Sequence, residues 1–409
     1  MNWIKKAGLL AGILFLSVAG YTQDAEFHGY VRNYTGTLTD GDFSILQNTF
    51  DLEIENTGMN MGFRVNPYVY HYENNELEWG VREAFIDLYF KRMDIRLGKQ
   101  QIIWGKADGV FITDVVSPKN LREFLLPEFD EIRMGVTSLK ADYYIGNNTF
   151  ELVWAPEFVP TQYPHRQSIW FPDMFPDQAR IDRSEKDVRA SLENSELFFK
   201  YSRLSGTVDL ELMGGYMWDD DPAMHSYRYM DPRSMTLDSL VIRPRHHRIT
   251  MAGGSFSTDI GGVILRGEGA FYDGKYFPVN NPTDEDGLVT QDYAHYMIGA
   301  DFDLWGIRFS TQFIQESIFN YQDALRQDEF SNTMTFLVRD DLFRDKLILE
   351  LFTYYGFKHD DALIRPKATY EVERGINLIV GANLFTGTEG RFGQYNQNDM
   401  VYFKLKYDF

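Results

Sequence analysis

The chain ends Val401-Tyr402-Phe403-Lys404-Leu405-Lys406-Tyr407-Asp408-Phe409. Apolar or aromatic residues (Val401, Phe403, Leu405, Tyr407, Phe409) alternate with Tyr402, Lys404, Lys406 and Asp408. Successive side chains of a strand point to opposite faces, so this stretch has one apolar and one more polar face. At the edge of a soluble sheet such a strand would invite aggregation. Closing the sheet into a barrel removes the edge.

Moving outward from the end, the same dyad recurs. Phe50, Leu52 and Ile54 alternate with Asp51, Glu53 and Glu55. Ala84, Ile86, Leu88 and Phe90 alternate with Glu83, Asp87 and Tyr89. Val208, Leu210 and Leu212 enclose Asp209 and Glu211, and Leu349 precedes Glu350. Segments of about 9–13 residues suit tilted strands crossing a bilayer. Short turns alternate with long, aromatic-rich connections near 104–131, 155–194, 218–244, 273–290, 317–330 and 386–398. The pattern predicts an all-β fold: a transmembrane antiparallel up-and-down β-barrel of about 18 strands, or 16 if two weak segments are discounted. Short turns would be periplasmic, with both termini, and long loops extracellular. The ending also resembles the C-terminal assembly signal of bacterial outer-membrane proteins, with Phe403, Tyr407 and Phe409 as its aromatic positions. Tyr68, Tyr70, Tyr89, Trp154, Tyr216, Tyr296 and Tyr355 are candidates for interfacial girdles.

Composition excludes several classes. Of 409 residues, 44% are hydrophobic and 16% aromatic, and no internal run approaches the roughly 18 apolar residues of a spanning helix. With no cysteine, disulfides, cysteine zinc sites and thiol catalysis drop out. A net charge of −20 argues against nucleic acid, which needs a basic footprint. At the start, Lys5 and Lys6 precede the short apolar run 7–20, with small or polar residues near 20–23. This reads as a signal peptide over 1–22, leaving 23–409 as the barrel and directing it to the outer membrane.

A second signal lies in residues 96–160. It runs Arg96-Leu97-Gly98-Lys99-Gln100, Trp104-Gly105-Lys106-Ala107-Asp108, then Thr113-Asp114-Val115-Val116-Ser117-Pro118-Lys119-Asn120-Leu121-Arg122-Glu123, and finally Trp154-Ala155-Pro156-Glu157-Phe158-Val159-Pro160. The stretch resembles a porin-like family of bacterial outer-membrane barrels of unknown function, related to the alginate-export barrels. Ser117-Pro118 stands where Asn-Pro is commoner. The resemblance implies a transport barrel. For some relatives it implies traffic of hydrophobic compounds with an inner-membrane pump and a periplasmic carrier.

Phase places Asp51, Glu53, Glu55, Arg64, Glu83, Asp87 and Arg96 in the lumen on one side. His246, Arg248, Arg266 and Arg308 are placed there on the other. Such opposed walls would set up a transverse field favouring dipolar solutes; alternatively the charges pair with neighbours and stabilise the barrel. The 104–131 connection carries Val110, Phe111, Ile112, Pro118, Leu121 and Leu125 and a candidate short helix over 120–126. It reads either as a constriction or plug inside the barrel or as an outer loop packed on its neighbours.

Enzyme signatures are weak. Gly254-Ser255-Phe256-Ser257 lacks the second glycine of a nucleophile elbow. His246 and His247 are adjacent, so on a strand they would face opposite sides. The acidic runs 219–221 and 284–286 lack calcium-loop spacing. No cofactor, metal or catalytic residue is expected. The reading is a porin-like channel for small solutes whose partners are outer-membrane lipid, the barrel-assembly machinery and the solute. Its rivals are a conduit for hydrophobic compounds, with an apolar pocket near Trp170, Phe171, Met174 and Phe175, and a surface binding protein with an occluded barrel.

Overall fold

In the computed structural model, the structure describes residues 25–41, 44–73, 76–172, 179–183, 188–230, 233, 237–280 and 286–409. The signal-peptide stretch 1–22, Met174, Phe175, Asp284 and Glu285 lie outside these residues. The first strands are β1 (Glu26–Leu38), β2 (Ser44–Thr57), β3 (Met61–Tyr72), β4 (Leu77–Phe90), β5 (Met93–Gln100), β6 (Val136–Ile145) and β7 (Asn148–Ala155). Then come β8 (Ala179–Ile181), β9 (Glu196–Arg203), β10 (Val208–Trp218), β11 (Ala223–Met230), β12 (Leu237–Arg245), β13 (Arg248–Ile260) and β14 (Val263–Pro278). The last are β15 (Leu288–Leu304), β16 (Ile307–Ile318), β17 (Phe330–Leu342), β18 (Leu347–Gly356), β19 (Asp361–Glu373), β20 (Ile376–Thr386) and β21 (Met400–Asp408).

Eighteen of these form one antiparallel sheet, each paired with its neighbour in the chain's order. The ring closes where β21 pairs with β1, Tyr30 opposite Asp408 and Leu38 opposite Met400. Gly29 and Phe409 extend the closure by exchanging backbone hydrogen bonds of 3.1 and 3.0 Å. The last residue therefore completes the seam. Strands β8, β11 and β12 form a separate three-stranded sheet. The 218–244 connection, expected as a polar loop, is thus largely a β-hairpin.

Alternation decides the wall. Along β21, Val401, Phe403, Leu405, Tyr407 and Phe409 are exposed on the outer face, while Met400, Tyr402 and Lys404 are buried inside. Leu210 and Leu349 are likewise outer, and Glu350 turns inward to Lys367 at 3.1 Å. The outside is an apolar surface of the kind a bilayer core covers.

Two departures have clear causes. The β3–β4 register shifts between Val65 and Pro67. A bulge lets two consecutive residues escape strict alternation, and here both Arg82 and Glu83 engage lumen partners. The girdle expectation fails for Tyr68, Tyr70 and Tyr89, which face inward. Arg82 lies over the Tyr68 ring at 4.6 Å and bonds the Tyr70 hydroxyl, and the Tyr89 hydroxyl reaches Asp87. Tyr216, Tyr296 and Tyr355 are on the outer face.

Candidate functional site

Residues 101–135, between β5 and β6, run through the barrel interior. Over 120–126 the chain is a turn rather than the expected helix, with Phe124 at φ 55°. Pro127 disfavours helical backbone at Leu126, and a single helical turn forms later, at Phe129–Ile132.

One side of this segment is fastened to β14 and β16. The buried Glu268 carboxylate accepts from the backbone N–H groups of Lys106, Ala107 (2.9 Å) and Thr113 (2.7 Å), and from the Thr113 hydroxyl (2.8 Å). Gly105 has φ +84°, and a Cβ there would overlap that carboxylate, so only glycine permits the approach. Gln312 accepts from Asp108 N–H at 2.9 Å and donates to its carbonyl at 2.8 Å. The Tyr272 hydroxyl donates to Ile112 O and the Tyr354 hydroxyl to Gly109 O. Ile102, Trp104, Ile112, Val115 and Val116 pack with Met213, Met217, Ile249, Met251 and Ala270 in one buried cluster. Pro118 is buried, while Val110 joins both this cluster and a second one containing Leu126, Trp170, Tyr354 and Phe385. Leu125 flanks the second cluster, and its carbonyl accepts from Arg365. Phe111 stacks edge-on against Phe129, and Leu121 N–H donates to Gln162 O.

The other side meets β1–β4 and β21 through charges. Glu131 accepts from both Arg32 terminal nitrogens (2.9 and 3.1 Å) and from the Tyr30 hydroxyl (3.0 Å). Burial works against its charge, but the Arg32 and Arg82 guanidiniums overcome this and hold its pKa down to about 2. Arg122 pairs with Glu78 at 2.8 Å. Asp114, buried beside Arg133 at 2.6 Å, is nevertheless pushed above the ordinary carboxylate value, because burial outweighs the pairing.

The expected lumen residues divide. Arg64 joins Glu55 (2.6 Å), Glu53 (3.2 Å) and Glu83 (3.5 Å). Asp87 pairs with Arg96 at 2.7 Å, and Asp51 with Arg82 at 2.8 Å. The acidic wall is therefore interleaved with arginines, which shortens the reach of any transverse field. Arg266 faces inward and bridges Asp108 (2.6 Å) and Asp301 (2.8 Å). Arg308 sits at a strand end, largely exposed, 3.7 Å from Asp303.

Arg248 and His246 depart from their expected positions. Arg248 stacks over Tyr216 and Trp218 on the outer face. His246 lies between β12 and β13, with Nδ1 2.8 Å from the Asp219 carbonyl. The inner face of β13 is apolar because the interior segment packs on it, which inverts the usual rule that apolar means outward. Of the acidic run, Asp219 pairs with Lys275 at 2.8 Å and Asp220 is buried.

Arg32, Arg82, Glu131 and Lys404 were not singled out from the sequence. A cavity of about 50 Å³ lies between the interior segment and the β1–β3 and β21 wall. It is lined by Arg32, Tyr34, Gln47, Tyr72, Arg122, Glu123, Glu131 and Lys404 among others.

Residues 20–409 match the sequence model of a family described as "Protein of unknown function (DUF1302)". No curated protein matches the chain. Among solved structures it is similar to OccAB1 of Acinetobacter baumannii, at 11% identity and TM-score 0.56, over 95% of this chain and 97% of that one. It is similar to OpdL of Pseudomonas aeruginosa, at 11% identity and TM-score 0.56, over 94% and 99%. OccK2 (OpdF) of Pseudomonas aeruginosa, solved in complex with glucuronate, aligns at 10% identity and TM-score 0.55, over 94% and 98%. At such identities the likeness is one of fold.

Proposed function

The chain belongs to the DUF1302 family of proteins of unknown function, and from that premise we propose that it is an outer-membrane channel passing small polar solutes. The observation that carries this reading is the closed barrel with an apolar exterior and a lumen walled by paired carboxylates and guanidiniums. Lipid takes the outer face and water the inner one. On this reading the short turns and the end where β1 begins and β21 ends face the periplasm, and the long connections leave from the opposite end, one of them folding back into the lumen. The interior segment narrows the lumen and selects by size and charge, with residues 105–113 as the fixed part of the constriction.

Solute passage requires no covalent step. Charged groups at the wall replace part of a solute's hydration at each point, and mutually paired charges keep that exchange shallow. The glucuronate bound by one structural neighbour agrees with a small polar cargo. Kinship with alginate-export barrels, and a partnership with a periplasmic carrier and an inner-membrane pump, rest on the resemblance over residues 96–160. The hydrophobic-conduit reading has less support: Trp170 is buried against Tyr395 and Phe385 rather than left facing a space.

Conductance in planar bilayers tests the proposal. Reconstituted protein is expected to give discrete ohmic steps that fall when a permeant solute occupies the lumen. Silent bilayers, from protein shown folded by heat-modifiable migration, would overturn it in favour of a barrel that only displays its loops.

A further inference from the structure

Among the described residues the lumen charges are nearly all in close ion pairs or hydrogen bonds, and the cavity holds two that are not: Lys404, with only one long ion pair, and Glu123. Lys404 is buried, its side chain 9% exposed, with the ammonium 4.9 Å from the centre of the Tyr34 ring and 5.2 Å from that of Tyr402. Its carboxylate within ion-pair reach is Glu128 at 3.9 Å, beyond hydrogen-bond distance. Glu123, on the interior segment, has no ion-pair or side-chain hydrogen-bond partner among the described residues. Burial, then the neighbouring Glu131 charge, raises the pKa of its carboxyl, and Arg122, Arg32 and Lys404 only partly oppose this. The other cavity charges are engaged: Arg32 with Glu131 and Arg122 with Glu78.

An ammonium and a carboxylate that line the same cavity without pairing complement a ligand carrying both charges. A desolvated charge left unmatched is costly, and a matched one forms a strong, charge-assisted hydrogen bond. A cavity of about 50 Å³ has room for a few waters, or for a solute of a few heavy atoms in their place. Tyr34, Tyr70 and Tyr72 give it aromatic walls without adding net charge. We propose that this cavity is a binding subsite for a small zwitterion of the α-amino-acid class, its carboxylate taken by Lys404 and its ammonium by Glu123. The inference rests on the channel reading for its purpose and names the cargo class of that same lumen.

The test is calorimetric titration of the full folded chain in detergent with L-alanine, acetate and methylammonium. Wild type should bind alanine about tenfold more tightly than either single-charge probe, since each charge-assisted bond adds at least that much. Lys404→Met should weaken both alanine and acetate about tenfold, while Lys404→Arg keeps alanine binding. Glu123→Gln should weaken alanine about tenfold and leave acetate unchanged. Heat-modifiable migration checks that each variant folds; if Lys404→Met does not, Glu123→Gln alone still decides. Equal loss of alanine and acetate in Glu123→Gln, or wild-type preference for acetate, would overturn the subsite. Calorimetry does not require conduction, so the two readings fail separately. Conduction without alanine binding defeats the subsite and leaves the channel. Alanine binding by a barrel that never conducts supports the subsite and defeats the channel.

Discussion

The interior segment meets the barrel in two different ways. Against β13–β16 it is dry: Ile112 is fully buried, and Glu268 and Gln312 bind its backbone directly. Against β1–β4 and β21 it is charged, held by Glu131 and Arg122 through side-chain pairs, with a cavity between. Apolar packing with satisfied backbone groups leaves no polar partner for a passing solute. The half-exposed Arg122–Glu78 pair can exchange one partner for water or a ligand at modest cost, whereas the buried Arg32–Glu131 pair is costly to break and anchors that side. On the channel reading proposed above, a solute would pass on the β1–β4 and β21 side, where the cavity lies, and the β13–β16 side would hold the interior segment in place.

The largest effect is expected from breaking the dry side. Glu268→Ala strands four donors, of which the two of Thr113 are buried and cost about 1–3 kcal/mol each when unsatisfied. The segment should detach, and single-channel conductance should rise several-fold. Unchanged conductance would show that the apolar cluster alone suffices. Next is a control on the wall itself. Ile298 is exposed on the outer face of β15, well inside the strand, and Ile298→Arg should destabilise by about 2–4 kcal/mol if it lies near the lipid midplane. Glu350→Gln, facing the lumen, should cost much less in the same unfolding titration. Leu349 and Leu210 lie only a few residues from the turns, where the penalty for a charge is smaller.

Acid should then loosen the charged side. Glu131 falls from an ordinary 4.5 to about 2 in the folded protein. Its contribution is therefore complete above about pH 4.5 and is lost as pH falls through about 2. Conductance noise should be flat from pH 7 to 5 and grow below 4, and Glu131→Gln should show that noise already at pH 7. A Glu131→Gln channel that is quiet at pH 7 and still turns noisy below pH 4 would place the switch elsewhere. The smallest effect concerns selectivity. Neutralising Asp51, Glu53, Glu83 and Asp87 together releases Arg96 from its pair and leaves Arg64 paired only with Glu55 and Arg82 only with Glu131. Reversal potentials should shift modestly toward anions, more in dilute salt than at 1 M, where the screening length is about 3 Å. No shift at any salt would take these carboxylates off the path.

The barrel was legible because alternation repeats in strand after strand, and Phe409 closes the ring where the terminal pattern requires it. The grouping of Arg64 with Glu53, Glu55 and Glu83 also followed from phase. Phase failed where its premise failed. At Arg82 a bulge adds a residue, so a side chain that alternation would turn away from the lumen beside Glu83 engages it as well. On β13 the inner face is apolar because another segment covers it, so Arg248 was assigned to the wrong side. The motif residues Trp104, Gly105 and Asp114 drew attention to the interior segment. Their partners Glu151, Glu268 and Arg133 lie between 19 and 163 positions further on, a pairing that no local pattern encodes. Lys404 was hidden because in the terminal strand it reads only as one of the polar alternates.

The central claim is that the passage lies on one side of the interior segment, and the absence of cysteine in the chain makes that claim directly testable. Single cysteines are placed at Gln47 and Tyr72 beside the cavity, and at Met251 and Ile314 in the dry cluster. A charged methanethiosulfonate reagent is then added during single-channel recording. The account predicts a stepwise fall in conductance for Gln47→Cys and Tyr72→Cys, and no change for Met251→Cys and Ile314→Cys. Block at 251 and 314 with silence at 47 and 72, in channels that conduct, would contradict it.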